Sequence, residues 1–199
     1  TNDKMYLLTD YRFLTQVKEE CPDYEIIRWT PGTSLMSHSA KLMAELGLKK
    51  VGVEVDDLTH GSFMVLEENA PGVELVPCYP YIEEMRRVKT PEEIEKIKKA
   101  CAISDASFIS LLGKIKPGMT EIDIQNKLEF EFRDRGSEGA SFPIIVASGP
   151  VNGSKCHGIP SDRKIEKGDL ITIDFGAYWQ GYCSGLTRTI AVGQPVPKL

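Results

Sequence analysis

The chain has 199 residues, 41% of them hydrophobic, and a formal net charge of −5. That is enough apolar material for a core in one or two domains, and an acidic balance without a basic, aromatic-interleaved stretch argues against nucleic-acid binding. No apolar run approaches the roughly 18 residues that cross a bilayer, and the polar start Thr1-Asn2-Asp3-Lys4 does not resemble a signal peptide, so no membrane partner is expected. The cysteines, Cys21, Cys78, Cys101, Cys156 and Cys183, are odd in number and form no Cys-x-x-Cys pair. They read as reduced thiols in a cytoplasmic protein rather than a disulfide framework or a zinc site.

The first region alternates strand and helix patterns. Lys4 to Thr9 reads as a strand, Tyr11 to Glu20 as a helix and Tyr24 to Arg28 as a strand. Ser37 to Leu46 follows as a helix ended by Gly47, then Val51 to Glu54 as a strand, Leu58 to Glu68 as a helix and Val73 to Val76 as a strand. Such alternation predicts an α/β layer structure. Its one acidic pair, Asp56-Asp57, sits where a strand passes into a helix, which suits capping better than chemistry. His38 and His60 match no site pattern and read as surface or packing residues. A boundary is expected within Pro77 to Lys89, giving one domain over 1–82 and a second over 83–199.

The second region opens on Thr90-Pro91-Glu92-Glu93. Threonine caps, proline suits the first helical position, and Glu93 returns the capping-box bond. The helix should run to about Leu112, with Ile94, Ile97, Cys101, Ser104 and Phe108 near one face. Thr120, with Asp123 three residues on, starts another through Asp134; Gly136 ends it, and Ile124, Leu128 and Phe132 form its apolar stripe. Phe142 to Ala147 reads as a strand, and Ser148 to Ser154 as a loop that delivers His157 towards the segment after it.

That segment, Leu170 to Thr189, carries the most chemistry. Side chains alternate along a strand, so Ile171, Ile173 and Phe175 take one face while Thr172, Asp174 and Gly176 share the other. The apolar face is core, and a carboxylate in such a strand needs a cation or several donors opposite it. A turn at Trp179-Gln180-Gly181 leads into a returning strand, Tyr182 to Val192. With the loop at Trp179-Gln180, Asp174 lies across from position 185, and a glycine bulge shifts this by one residue. Two carboxylates aimed at one point from facing strands suit hard divalent cations, but the second position here is Gly185. Cys183, in a strand with no activating histidine evident, is expected to pack. Arg188 is read as structural, pairing with a neighbouring carboxylate or carbonyls, with a substrate clamp as the alternative.

Ile173-Asp174-Phe175-Gly176-Ala177, followed by Gly181-Tyr182-Cys183-Ser184 and Thr187-Arg188-Thr189, resembles the metal-binding hairpin of the creatinase-like or pita-bread metallopeptidases, most of all the Xaa-Pro aminopeptidases and Xaa-Pro dipeptidases. The resemblance runs over nearly the whole chain. It implies a partial creatinase-like amino-terminal α/β domain followed by the first half of a pita-bread α+β catalytic domain. It also implies a dimetal-activated water that hydrolyses the amino-terminal Xaa-Pro bond of peptides. In this resemblance Asp174 matches the first metal-ligating aspartate, and Gly185 falls on the bridging aspartate and offers no ligand. His157 matches a histidine that helps hold the peptide and the tetrahedral intermediate, although Cys156 stands where the family often has proline. The remaining ligands, a histidine and two glutamates, come from strands later in the family domain, so the chain reads as an internal portion of a longer member.

The cofactors implied are two divalent ions, manganese, cobalt or zinc, not both held by this chain. The implied partners are a proline-containing peptide and, since family members often dimerise, a second copy. Two other readings stand beside the peptidase: a noncatalytic peptide- or protein-binding module, favoured by Gly185, and a metal-independent pita-bread chemistry such as creatine hydrolysis.

Overall fold

The structure is a computed structural model that describes residues 3–30 and 32–194. Two compact units divide between Val88 and Lys89, at the far end of the stretch expected to hold the boundary. The charged residues before that point form a helix, α4, over Tyr81–Arg87 in the first unit.

The first unit follows the alternating pattern. β1 (Tyr6–Thr9) pairs in parallel with β2 (Glu25–Arg28), joined by a 3₁₀ turn over Tyr11–Phe13 and α1 (Leu14–Glu20). The single helix expected over 11–20 is split, because Asp10 caps the 3₁₀ turn through the Arg12 amide and also holds the Arg12 guanidinium. After α2 (Leu35–Glu45), β3 (Lys50–Glu54) pairs in parallel with β4 (Glu74–Cys78) across α3 (His60–Asn69). Thr59, not Asp56 or Asp57, caps α3, its hydroxyl accepting from the Ser62 amide; the acidic pair lies in the turn before it. Ala40, Val53, Leu66 and Ala70 form this unit's small core.

The second unit is built on a larger core. Both expected capping boxes are present: Thr90 with Glu93 opens α5 (Pro91–Leu112), and Thr120 with Asp123 opens α6 (Glu121–Asp134). Ile124, Leu128 and Phe132 are fully buried, as their spacing predicts. On α5 the buried face is Ala100, Ile103, Ser104, Ser107, Phe108 and Leu111. Ser104 and Phe108 match the expected stripe, but Ile94 and Cys101 are exposed. A long helix with apolar residues on two sides buries the side its neighbours cover. Here those neighbours are α6 and the hairpin strands.

The sheet against these helices has the order β10-β7-β6, all antiparallel: β6 is Ile145–Ser148, β7 Leu170–Phe175 and β10 Leu186–Ala191. Ile171, Ile173 and Phe175 are buried, and Phe175 stacks on Phe108 with ring centroids 5.2 Å apart. A second small sheet holds β5 (Gly139–Ala140), β8 (Ala177–Trp179) and β9 (Tyr182–Cys183).

The hairpin register differs from the sequence expectation. Trp179 pairs with Tyr182, so the two-residue loop is Gln180-Gly181, with φ of 46° and 83°. Positive φ at both central residues is the mirror-image turn that matches strand twist. The ladder continues without slip, so Asp174 faces Thr187 rather than residue 185. Gly176 is held where the strands pass closest: a Cβ there would lie 1.9 Å from the Ser184 carbonyl oxygen and 2.2 Å from the Ser141 hydroxyl. Beneath it, Ser104 and Ser184 share a hydrogen bond of 2.7 Å, and the Ala177 amide reaches both hydroxyls.

Ser148 to Ser154, expected as a loop, contains one helical turn, α7 (Gly149–Asn152). What fixes it is a buried carboxylate. Glu121 is fully buried at the start of α6 and accepts five hydrogen bonds. Burial pushes its pKa up, but the donors from Ser148 and Ser161 outweigh this and hold it below the usual value. Glu131, bound by Lys114 and Arg135 against the pull of burial, is also lowered, as is Asp169, chiefly through Arg163.

The packing at the strand crossing sets the cost of a methyl group there. Gly176→Ala should destabilise the second unit by about 1–3 kcal/mol or more, since backbone blocks the new methyl. Gly185→Ala, with nothing within 4 Å of its Cβ position, should stay within about 0.5 kcal/mol of the parent. Denaturant midpoints of the two variants check this, and equal midpoints would refute the register. The buried carboxylates set a pH dependence as well. Groups with depressed folded pKa values stabilise the fold above their unfolded pKa and lose that contribution as pH falls through the folded value. The denaturant midpoint should therefore hold above about pH 5 and fall through and below the ordinary carboxylate range near 4. A midpoint unchanged between about pH 5 and pH 3 would contradict the ionised Glu121.

Candidate functional site

Asp174 lies on the sheet face turned away from α5 and α6. It is half-buried, and its Oδ1 accepts a 2.8 Å hydrogen bond from the Thr187 hydroxyl directly opposite. The donor expected across from the carboxylate is thus a neutral hydroxyl. Residue 185 is not the cross-strand partner: Thr187 and Thr189 share the face of Thr172 and Asp174, and position 185 lies just before β10 in the same register. Gly185 is diagonal to Asp174, exposed, and open to solvent where a side chain would project. Diagonal neighbours on a sheet are about 7–8 Å apart, within reach of two carboxylates meeting over one point. No neighbouring atom blocks a side chain at 185.

The same face opens, beyond Asp174, into a cleft of ≈ 550 Å³ bordered by Thr172, Thr189, Gly149, Ser154 and Lys167. Thr172 and Thr189 bridge the strands through their hydroxyls at 3.1 Å. Arg188 pairs with Ile173, so it belongs to the opposite face, where its guanidinium donates to the Thr187 carbonyl. Its side chain therefore lies on the face opposite Asp174. Cys183 is exposed on β9 rather than packed.

His157 is exposed in the turn after α7, and it makes no hydrogen bond or ion pair with Asp174 among the described residues. Its placement is nevertheless constrained by the next residue. A Cβ on Gly158 would lie 2.9 Å from the Ala147 methyl and 3.0 Å from Asn152 Oδ1. Ala147 pairs with Thr172 and therefore lies on the Asp174 face. The chain at 157–158 is folded back onto that face, and only glycine permits the approach.

The donor set does not amount to a dimetal centre. One carboxylate projects from the described strands on this face, hydrogen-bonded by a threonine hydroxyl, and the second position is glycine; Glu166 and Asp169 line the cleft beyond it. Among the described residues no three His, Cys, Asp or Glu side chains converge as ligands. Hard divalent ions take six or more oxygens with several carboxylates among them, or histidine and carboxylate together, and these residues fall short of that.

Sequence reasoning missed Glu121. The only local signal was its place at the first position of a capped helix, where an acidic side chain suits the helix dipole. Its five donors come from residues 27 to 40 positions away and carry no local pattern. Among the described residues no helix is long and apolar enough to cross a membrane.

Comparison with known proteins fits this geometry. The pattern of metallopeptidase family M24 matches residues 95–199, and that of the creatinase/prolidase N-terminal domain matches residues 1–88. An uncharacterized peptidase of Bacillus subtilis is 41% identical over 199 residues, covering 100% of this chain and 56% of that protein. Among solved structures, an Xaa-Pro dipeptidase from Bacillus anthracis superposes with a TM-score of 0.91 at 40% identity, covering 100% of this chain and 55% of its own. An X-Pro aminopeptidase from Thermotoga maritima gives 0.85 at 34% identity, with the same coverages of 100% and 55%. The chain thus spans about half the length of the relatives it matches. With a creatinase-type amino-terminal domain followed by part of the peptidase domain that carries the Asp174 hairpin, the chain belongs to metallopeptidase family M24.

Proposed function

We propose that the protein hydrolyses the amino-terminal Xaa-Pro bond of peptides, and that this span contributes two groups to the site. His157, exposed beside the Asp174 face, contacts the peptide. Asp174 supplies the one metal-ligating carboxylate of the hairpin. The observation that carries the reading is the hairpin itself: a carboxylate held on an open sheet face, in a chain whose relatives include dipeptidases and aminopeptidases of Xaa-Pro type. The metals of that reading are two divalent ions, manganese, cobalt or zinc. The five free thiols agree with a cytoplasmic setting.

A second reading is favoured by Gly185. With glycine at the diagonal position the hairpin holds a single carboxylate, hydrogen-bonded by Thr187, and such a protein would keep the cleft for peptides or proteins without the chemistry. We place the present chain, as it stands with Gly185, closer to this second behaviour.

The deciding measurement is metal content together with Xaa-Pro dipeptide and longer Xaa-Pro peptide hydrolysis, made on this chain, on a full-length protein with Gly185, and on its Gly185→Asp variant. We expect this chain and the Gly185 protein to hold less than two equivalents of Mn²⁺ or Co²⁺ and to show little turnover, and Gly185→Asp to raise both. Two bound equivalents and turnover with Gly185 in place would refute the disabling role of glycine. If Gly185→Asp changes neither, the peptidase reading gives way to the binding module.

A further inference from the structure

Glu121 is fully buried, and both of its carboxylate oxygens are committed. Oε1 accepts from the Ser148 amide at 2.7 Å and the Ser148 hydroxyl at 2.6 Å. Oε2 accepts from the Asn152 side-chain amide at 2.7 Å, the Ser161 amide at 3.0 Å and the Ser161 hydroxyl at 2.7 Å. These donors are not scattered. Ser148 and Asn152 lie just before the His157 turn, and Ser161 lies just after it. Asn152 closes the loop further by donating to the Ile159 carbonyl at 3.1 Å. One carboxylate therefore grips both ends of the segment that carries His157.

The grip is braced from outside. The Ser148 hydroxyl, having donated to Glu121, accepts from Arg163 Nη1 at 2.8 Å, and Arg163 is itself paired to Asp169 at 2.7 and 3.0 Å. The Arg163 guanidinium fills the space beside Gly149, where a Cβ would lie 2.6 Å from it. The loop is thus held at its start by Arg163 and Glu121, at its middle by Gly158 against Ala147, and at its end by Ser161.

We infer that Glu121 is a positioning residue that acts through His157, by fixing the loop over 149–160 against the Asp174 face of the sheet. This rests on the reading of His157 as the peptide-contacting group. The chemistry demands a carboxylate rather than its amide. Each oxygen receives one backbone N–H, from Ser148 on one side and Ser161 on the other, and a backbone N–H cannot turn to accept. Whichever way a glutamine at 121 is oriented, its NH₂ meets one of these donors, and one end of the loop is released while the volume stays filled.

The test uses Glu121→Gln in the intact protein. Hydrogen exchange of the amides over 149–161 should accelerate at least about fivefold, the equivalent of leaving one buried donor unmatched, while amides in the middle of α6 and in β7 keep their rates. Uniform acceleration across the unit, or none, would overturn the assignment. If Glu121→Gln does not fold, Ser161→Ala removes a single donor, and acceleration confined to the same segment supports the role whereas unchanged exchange refutes it. The link to His157 is read by a double-mutant cycle on Xaa-Pro hydrolysis in the full-length Gly185→Asp background, where turnover is expected. Glu121→Gln should lower kcat/KM there and cost nothing further once His157→Ala is added; additive losses would show that Glu121 does not act through His157. Absence of any peptide hydrolysis in that Gly185→Asp background counts against the proposed function, and the exchange measurement still decides the positioning role.

Discussion

The register of one hairpin governs what this region of the protein can do. Gln180 and Gly181 both take positive φ, and the register set at that turn is the same beyond the break at Gly176, so that Asp174 meets Thr187 and Phe175 meets Leu186. A slip of one residue would carry Asp174 to the core side and Phe175 to solvent. Three contacts oppose the slip: Phe175 stacked on Phe108, the Ser104-Ser184 pair beneath the strand crossing, and the absence of a Cβ at Gly176, where Ser184 presses in. The Tyr182 hydroxyl adds a bond to Glu93, so the side chain that closes the α5 capping box also anchors the hairpin.

The polar groups on the two sides of the β10-β7-β6 sheet are satisfied to opposite degrees. On the helix side every deep polar group is matched, Ser107 Oγ excepted among the described residues, and Glu121 is the densest case, with five donors on one carboxylate. On the other side Asp174 has one hydroxyl partner and an open neighbour at Gly185. Order on the first side is what makes the second usable. Ser148 ends β6, its hydroxyl and amide are taken by Glu121, and the chain leaves the sheet there to form the His157 loop. A side chain on that loop inherits its position from a carboxylate on the far side of the sheet.

Much of this is legible in the sequence where the signal is local. Thr90-Glu93 and Thr120-Asp123 are capping boxes because each partner is three residues from the other, and Ile124, Leu128 and Phe132 mark a buried stripe because helical spacing repeats it. The alternation of Ile171, Ile173 and Phe175 against Asp174 likewise survives in full. What the sequence misplaces depends on partners far along the chain. Glycine at 181 signals a turn, but glutamine at positive φ signals nothing, so the sequence reading sets the loop centre one residue early and Asp174 opposite the wrong residue. Ile94 and Cys101 fit an apolar stripe on α5 as well as Ile103 and Leu111 do, and only the neighbouring elements choose between them. Thr59 prevails over Asp56-Asp57 as a cap because it stands directly before the helix. Glu121 reads as an ordinary first-turn acid until its distant donors are known.

The corrected register sharpens the meaning of Gly185. Directly opposite Asp174, a second carboxylate would sit about 4.5–5.5 Å away at Cβ; a diagonal one would be about 7–8 Å away, and there position 185 is open. Thr187 occupies the direct position, and its hydroxyl donates a hydrogen bond to Asp174 Oδ1. The hairpin therefore combines a carboxylate at 174 with open space at Gly185. Because no neighbour fills the space at Gly185 and its backbone is not in the left-handed region, packing does not require the glycine. The local fold neither depends on nor resists an aspartate there, so any difference between the parent and its Gly185→Asp variant in holding a divalent ion reports the ligand itself and not a rearranged hairpin.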